Sequence, residues 1–147
     1  LVGSEMCIRD SYNSKLYEGY MAGGTNALLD GYRGGLTYLD GRWQGYLDDL
    51  DCVIDMEEET DIHKVSIRFM QLTGPGVFQP GQVELLTSED GENFISRGIV
   101  PTTVPADDPD LLFQEYTFDG NWKTRYIRLK APRANPGFIF ADEIVVW

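Results

Sequence analysis

The sequence predicts an antiparallel β-sandwich. Apolar residues recur with a period of two in several runs, and Gly-, Pro- and Asp-rich turn signals separate those runs. No stretch carries the 3.6-residue period of a convincing helix. At 147 residues the chain suffices for one domain and is short for two, and its 42% hydrophobic content fills a real core. Against 12 Lys+Arg stand 24 Asp+Glu, a formal charge of −12. Such a field repels a phosphate backbone or an anionic membrane surface, and no basic patch offsets it. The apolar stretches also fall far short of the roughly 20 residues that cross a bilayer as a helix. Nucleic-acid partners and membrane insertion are therefore not expected.

Residues 1–11, Leu-Val-Gly-Ser-Glu-Met-Cys-Ile-Arg-Asp-Ser, differ in character from the rest. They resemble translated sequencing-adapter read-through, a scar without structure to be set aside in fold reasoning. The alternative is an ordinary short N-terminal extension. A frame that opens on a scar opens inside a gene, so this reading makes the chain the tail of a larger protein. Cys7 then drops out, Cys52 stands alone as a small buried hydrophobe, and no disulfide framework is expected. Residues 12–147 form the single domain, in which 12–46 are Gly-rich and aromatic and read mostly as loop.

Strand after strand follows. Residues 50–56 alternate, with Leu50, Cys52, Ile54 and Met56 on one side and Asp51, Val53 and Asp55 on the other. The charged run 57–61 reads as a turn. Residues 62–70 resume the period, with Val65, Ile67 and Phe69 inward and Lys64, Ser66 and Arg68 outward. A Gly-Pro-Gly loop fills 72–80. Residues 82–88 place Val83, Leu85 and Thr87 inward, the Asp90-Gly91 signal turns the chain, and 94–100 return as the partner. After a Pro- and Asp-rich loop at 101–110, residues 112–118 and 123–130 read as a second hairpin about Asp119-Gly120-Asn121. A loop at 131–137 leads to a closing strand over 139–147.

Catalytic chemistry finds little support. The single histidine, His63, has no partner for a zinc site or a nucleophile pair. The carboxylate runs 48–49, 57–59 and 107–110 read as solvated loop charge, and Gly23-Gly24 and Gly34-Gly35 lack a phosphate-cradling pattern. Two other features are more specific. Asp30, in Asn26-Ala27-Leu28-Leu29-Asp30-Gly31, and Glu143, in Ala141-Asp142-Glu143-Ile144, offer oxygen ligands for a hard cation such as calcium. Spacing alone favours the plainer reading, a turn-capping aspartate and a solvated edge-strand glutamate. The second feature is a set of aromatic, amide and guanidinium residues beside loops: Tyr38, Arg42, Trp43, Gln44, Tyr46, Arg68, Gln71, Phe78, Asn135 and Phe138. A ring stacked on a pyranose face, with planar polar groups pairing its hydroxyls, makes a sugar site without any catalytic group. Each aromatic taken singly is better read as core.

A set of motifs in order is more specific than any of them alone. Ala27-Leu28-Leu29-Asp30-Gly31, Asp40-Gly41-Arg42-Trp43-Gln44-Gly45-Tyr46, Val53-Ile54-Asp55-Met56, Ile62-His63-Lys64-Val65-Ser66-Ile67-Arg68-Phe69, Val83-Glu84-Leu85-Leu86-Thr87-Ser88-Glu89-Asp90-Gly91, Arg125-Tyr126-Ile127-Arg128-Leu129 and Ala141-Asp142-Glu143-Ile144 succeed one another along residues 22–147. The succession resembles the discoidin, or coagulation factor 5/8 type C, domain, which overlaps family 32 carbohydrate-binding modules. The Arg42-Trp43-Gln44-Gly45-Tyr46 segment is further similar to the C-terminal domain of Bacteroidetes family 20 β-N-acetylhexosaminidases.

The resemblance implies an all-β, galactose-binding-like jelly roll with a structural calcium at Asp30 and Glu143, aided by backbone carbonyls at Leu28, Arg33 and Asp142. It also implies a sugar site on the loops at one end, drawing on Arg68, Gln71, Phe78, Asn135, Phe138, Arg42 and Trp43. The histidine usual in the galactose binders has no counterpart, since His63 lies on the other side of its strand. The expected function is a non-catalytic carbohydrate-binding accessory domain of a secreted, periplasmic or cell-surface glycoside hydrolase. Its partners would be a galactose- or N-acetylglucosamine-type glycan and a catalytic domain in cis. The competing reading is a structural domain that packs against the catalytic barrel, which an exposed apolar patch on one sheet would mark.

Overall fold

The computed structural model describes residues 9–12, 44–46, 49–135 and 137–147. Seven strands run through them: β1 (Arg9–Tyr12), β2 (Gln44–Tyr46), β3 (Leu50–Gln71), β4 (Gln82–Ser88), β5 (Ile95–Pro101), β6 (Leu112–Ala131) and β7 (Ile139–Val146). Their order is β2-β7-β3-β6-β4-β5, with β1 also on β3, and every strand pair is antiparallel.

The framework is the pair β3 and β6. They are matched from Leu50 opposite Ala131 to Gln71 opposite Leu112, with register shifts between Asp55 and Thr60 and between Ile62 and Lys64. Those irregularities let both strands bend together and pass from one layer into the other. The first half of β3 and the second half of β6 join β1, β4 and β5; the remaining halves join β7 and β2. The charged run 57–61 and the Asp119-Gly120-Asn121 signal are thus bends within long strands. The hairpin expected between 112–118 and 123–130 does not form, because both segments pair with β3 instead of with each other.

Between the layers lies one cluster. It holds Leu50, Cys52, Ile54, Val65, Ile67, Phe69, Val83, Leu85, Tyr116, Ile127, Leu129, Ile144 and Val146, all close to fully buried. The inward faces expected from alternation are therefore met on β3 and β4. Phe69 and Tyr116 meet edge to face, with ring centroids 5.6 Å apart at 87°. At roughly 1.5–3 kcal/mol per large apolar side chain, this cluster carries most of the stabilisation. The outward prediction fails at Ser66, which is 1% exposed.

The first layer turns a charged face outward. Arg128 Nε and Nη2 donate to both oxygens of Asp51 at 2.8 and 2.7 Å, and Arg125 grips Asp55 in the same way at 2.9 and 3.1 Å. The Asp51 carboxylate pushes the Arg128 guanidinium above its ordinary pKa.

β1 contains Arg9, Asp10 and Ser11, the last three residues of the segment expected to lack structure. They pair with Asp55, Ile54 and Val53. The physical reason is that a strand edge offers backbone donors and acceptors to any extended segment, so this pairing does not depend on side chains.

Candidate functional site

The loops at 72–81, 102–111 and 132–138 gather at the end of the sandwich where β3 finishes and β6 and β7 begin. Backbone bonds stitch them together. Phe138 N–H donates to Gly76 O at 2.8 Å, Phe78 N–H to Phe138 O at 2.9 Å, Gly81 N–H to Pro132 O at 2.8 Å and Thr102 N–H to Gly81 O at 3.3 Å. The crossing of the first and third loops is too close for a side chain. A Cβ on Gly137, whose φ is +126°, would stand 2.3 Å from Gly76 O.

Beneath the loops, polar side chains complete the frame. The Tyr116 hydroxyl bonds Thr102 Oγ1 at 2.6 Å and donates to Gln79 Oε1 at 3.1 Å, while Thr102 Oγ1 also donates to Pro80 O. Burial pushes the Tyr116 phenol up to about 12, with the Thr102 contact opposing the shift. Gln79 Nε2 donates to Phe69 O at 3.0 Å.

A second apolar cluster occupies the outer face of this end. Met70, Val77 and Phe140 are buried, with Leu72, Leu111, Phe113 and Phe138 packed around them. The rings of Phe138 and Phe140 are 5.5 Å apart. Arg68 lays its guanidinium over the half-buried Phe113, 5.0 Å from the ring centroid, and Glu115 stands directly opposite it in the ladder. On the other edge, β7 sets Asp142 and Glu143 against the single residue Arg68, a bulge between Ile144 and Ala141.

Of the residues expected at a sugar site, Arg68 and Phe138 come together around this cluster. Phe78 joins them through its backbone bond to Phe138 and a half-buried ring beside Gly137. Asn135 is half-buried in the third loop. Gln71 is a correction. It is 1% exposed, its Nε2 donates to Pro105 O at 2.7 Å, and its Oε1 accepts from Gln79 N–H at 3.5 Å. Its amide fastens the second loop, because residue 71 continues the inward parity of Val65, Ile67 and Phe69. Arg42 and Trp43 lie outside the described residues, as do Leu28, Asp30 and Arg33 and the side chains of Asp142 and Glu143.

Phe113 was missed. Its signal was an aromatic on the same strand face as Glu115 and Thr117, out of phase with the inward Tyr116 and Phe118. Chemically, the arrangement offers partly exposed aromatic surface and a guanidinium held in place over a ring, on loops locked before any ligand arrives. Among the described residues, no three His, Cys, Asp or Glu side chains group as a metal site would require.

No protein-family model matches the sequence, and no curated protein matches it significantly. Solved structures do. A CBM32 module of the GH89 protein from Clostridium perfringens, in complex with GalNAc-β-1,3-galactose, superposes with a TM-score of 0.68 at 16% identity, covering 99% of this chain and 98% of that one. Chitosan-binding module 1 of a chitosanase/glucanase from Paenibacillus sp. IK-5 gives 0.66 at 11% identity, with the same coverages of 99% and 98%. CBM32-1 of a family 31 glycoside hydrolase from Clostridium perfringens gives 0.62 at 17%, covering 95% and 92%. The chain thus has the galactose-binding-like β-sandwich fold of the CBM32 modules.

Proposed function

We propose that this chain is a non-catalytic carbohydrate-binding accessory domain of a larger secreted, periplasmic or cell-surface glycoside hydrolase, of β-N-acetylhexosaminidase type. It binds a galactose- or N-acetylglucosamine-type glycan on the loops at one end. The observation that carries the reading is Arg68 laid over Phe113 beside Phe138, on the loop end of a fold shared with glycan-binding modules. A single weak site suffices, because tethering to a catalytic domain raises the local glycan concentration.

Isothermal titration with galactose- and N-acetylglucosamine-terminated glycans tests it. Arg68→Ala is expected to weaken binding about tenfold or more while the fold persists. Absence of binding to every such glycan at millimolar concentration refutes the reading. The competing idea of a purely structural domain gains little from the described residues. Their large exposed apolar side chains are Ile95 and Ile99, on the terminal strand β5, and Trp147, while the outer face of the first layer bears Asp51, Glu84, Arg128 and Lys130.

We also propose a structural calcium held by Asp30 and Glu143, with carbonyls from Leu28, Arg33 and Asp142. The β7 bulge supports it, since a bulge frees backbone carbonyls of the kind a hard cation requires. An ion bound to the native state alone stabilises it, so chelation is expected to lower the melting temperature by several degrees. An unchanged melt refutes the site.

A further inference from the structure

We infer a second saccharide-binding cleft, separate from the loop end's aromatic cluster, on the outer face of the first layer where β3 begins and β6 ends. It rests on the reading of the chain as a glycan binder. The cleft has a volume of about 260 Å³ and is lined by Asp49, Leu50, Asp51, Gln82, Glu84, Lys130, Ala131 and Pro132. That is near the lower bound of roughly 300 Å³ for small-molecule sites, a size for one sugar ring.

Its polar groups divide into two kinds. Some are committed and rigid. Asp51 is held by both arms of Arg128, and Asp49 Oδ1 accepts from Arg133 N–H at 2.8 Å. Others remain for a ligand. Lys130 lies between Asp51 and Glu84 in the ladder, directly opposite each, yet its ammonium makes no hydrogen bond or ion pair among the described residues. The side-chain amide of Gln82 likewise makes none among the described residues. Glu84 uses Oε2 to accept from Ser96 Oγ at 2.8 Å, which leaves Oε1.

An ammonium donor, a carboxylate acceptor and an amide line the cleft from adjacent strands, with Pro132 at the side. A vicinal diol satisfies this set, because each hydroxyl accepts from one group and donates to another. Three carboxylates in the wall against one ammonium disfavour an anionic sugar. The ligand class is a saccharide without negative charge. Placement on paired strands makes the site rigid before binding.

The test is a ¹H–¹⁵N NMR titration of the whole chain with N-acetylglucosamine, with GalNAc-β-1,3-galactose and with glucuronate. The neutral sugars are expected to shift the amides of Gln82, Glu84 and Lys130 as well as those of Gly137 and Phe138. Lys130→Met and Glu84→Gln, both at partly exposed positions, are each expected to weaken the first response about tenfold and spare the second. Shifts confined to the Gly137–Phe138 loop overturn the second cleft and leave the proposed function standing. Shifts confined to residues 82, 84 and 130 support the cleft and overturn the loop site. No shift at either place overturns both, and equal shifts with glucuronate overturn the ligand class.

Discussion

Gly137→Ala tests whether the loop end is built as described. The new Cβ would lie 2.3 Å from Gly76 O, whereas ordinary contact begins at 3.4 Å, so the two loops must part by about 1 Å. Gly76 O is backbone and cannot swing aside as a side chain does. Parting the loops breaks the bonds from Phe138 N–H to Gly76 O and from Phe78 N–H to Phe138 O, at about 1 kcal/mol each. Alanine at a φ of +126° adds strain of about 1–3 kcal/mol. The sum is roughly 3–5 kcal/mol, which for a domain of this size lowers the melting temperature by about 6–20 °C. Calorimetry measures the loss, and titration with glycan measures the accompanying loss of binding as Phe138 moves. Gly74→Ala is the control, since a Cβ there meets nothing within 4 Å. A Gly137→Ala melt within 2 °C of the parent, with glycan binding intact, would refute the loop crossing.

Two further outcomes follow from the core. Phe69→Ala empties the centre of the sandwich and removes the edge-to-face partner of Tyr116, so denaturant titration is expected to show a loss of about 3–5 kcal/mol; a loss below 1 kcal/mol would place Phe69 elsewhere. Tyr116 ionises near 10 when unfolded and near 12 when folded, so its contribution is complete below pH 10 and falls as pH rises from 10 to 12, by about 1.4 kcal/mol per pH unit at most. Tyr116→Phe is expected to be less stable at pH 8, through loss of the bonds to Thr102 and Gln79, and to lack this alkaline component. Identical alkaline declines in the two proteins would contradict the burial assigned to the phenol.

Alternation alone determined which faces point into the main core. Leu50, Cys52 and Ile54, then Val65, Ile67 and Phe69, then Val83 and Leu85 all point into one core, because the side-chain period of a strand is a local property of the backbone. Turn chemistry was equally local at Asp90. Its carboxylate accepts from the backbone N–H groups of Asn93 and Glu92 and from the side chains of Asn93 and Ser88, and these bonds hold it well below the usual carboxylate range. Gly91 follows at a φ of +79°.

Tertiary structure decided the rest, since strand pairing joins residues far apart in sequence. The charged run 57–61 and Asp119-Gly120-Asn121 have turn composition, yet each lies in a strand that its partner carries around a corner. Gln71 has the residue type of a sugar ligand, but the loop that folds over it consumes its amide. Phe113 acquires meaning only when register sets it beside Arg68 on the neighbouring strand. Composition and period specify what a residue prefers to face; which neighbour it meets depends on long-range register, which no short stretch of sequence encodes.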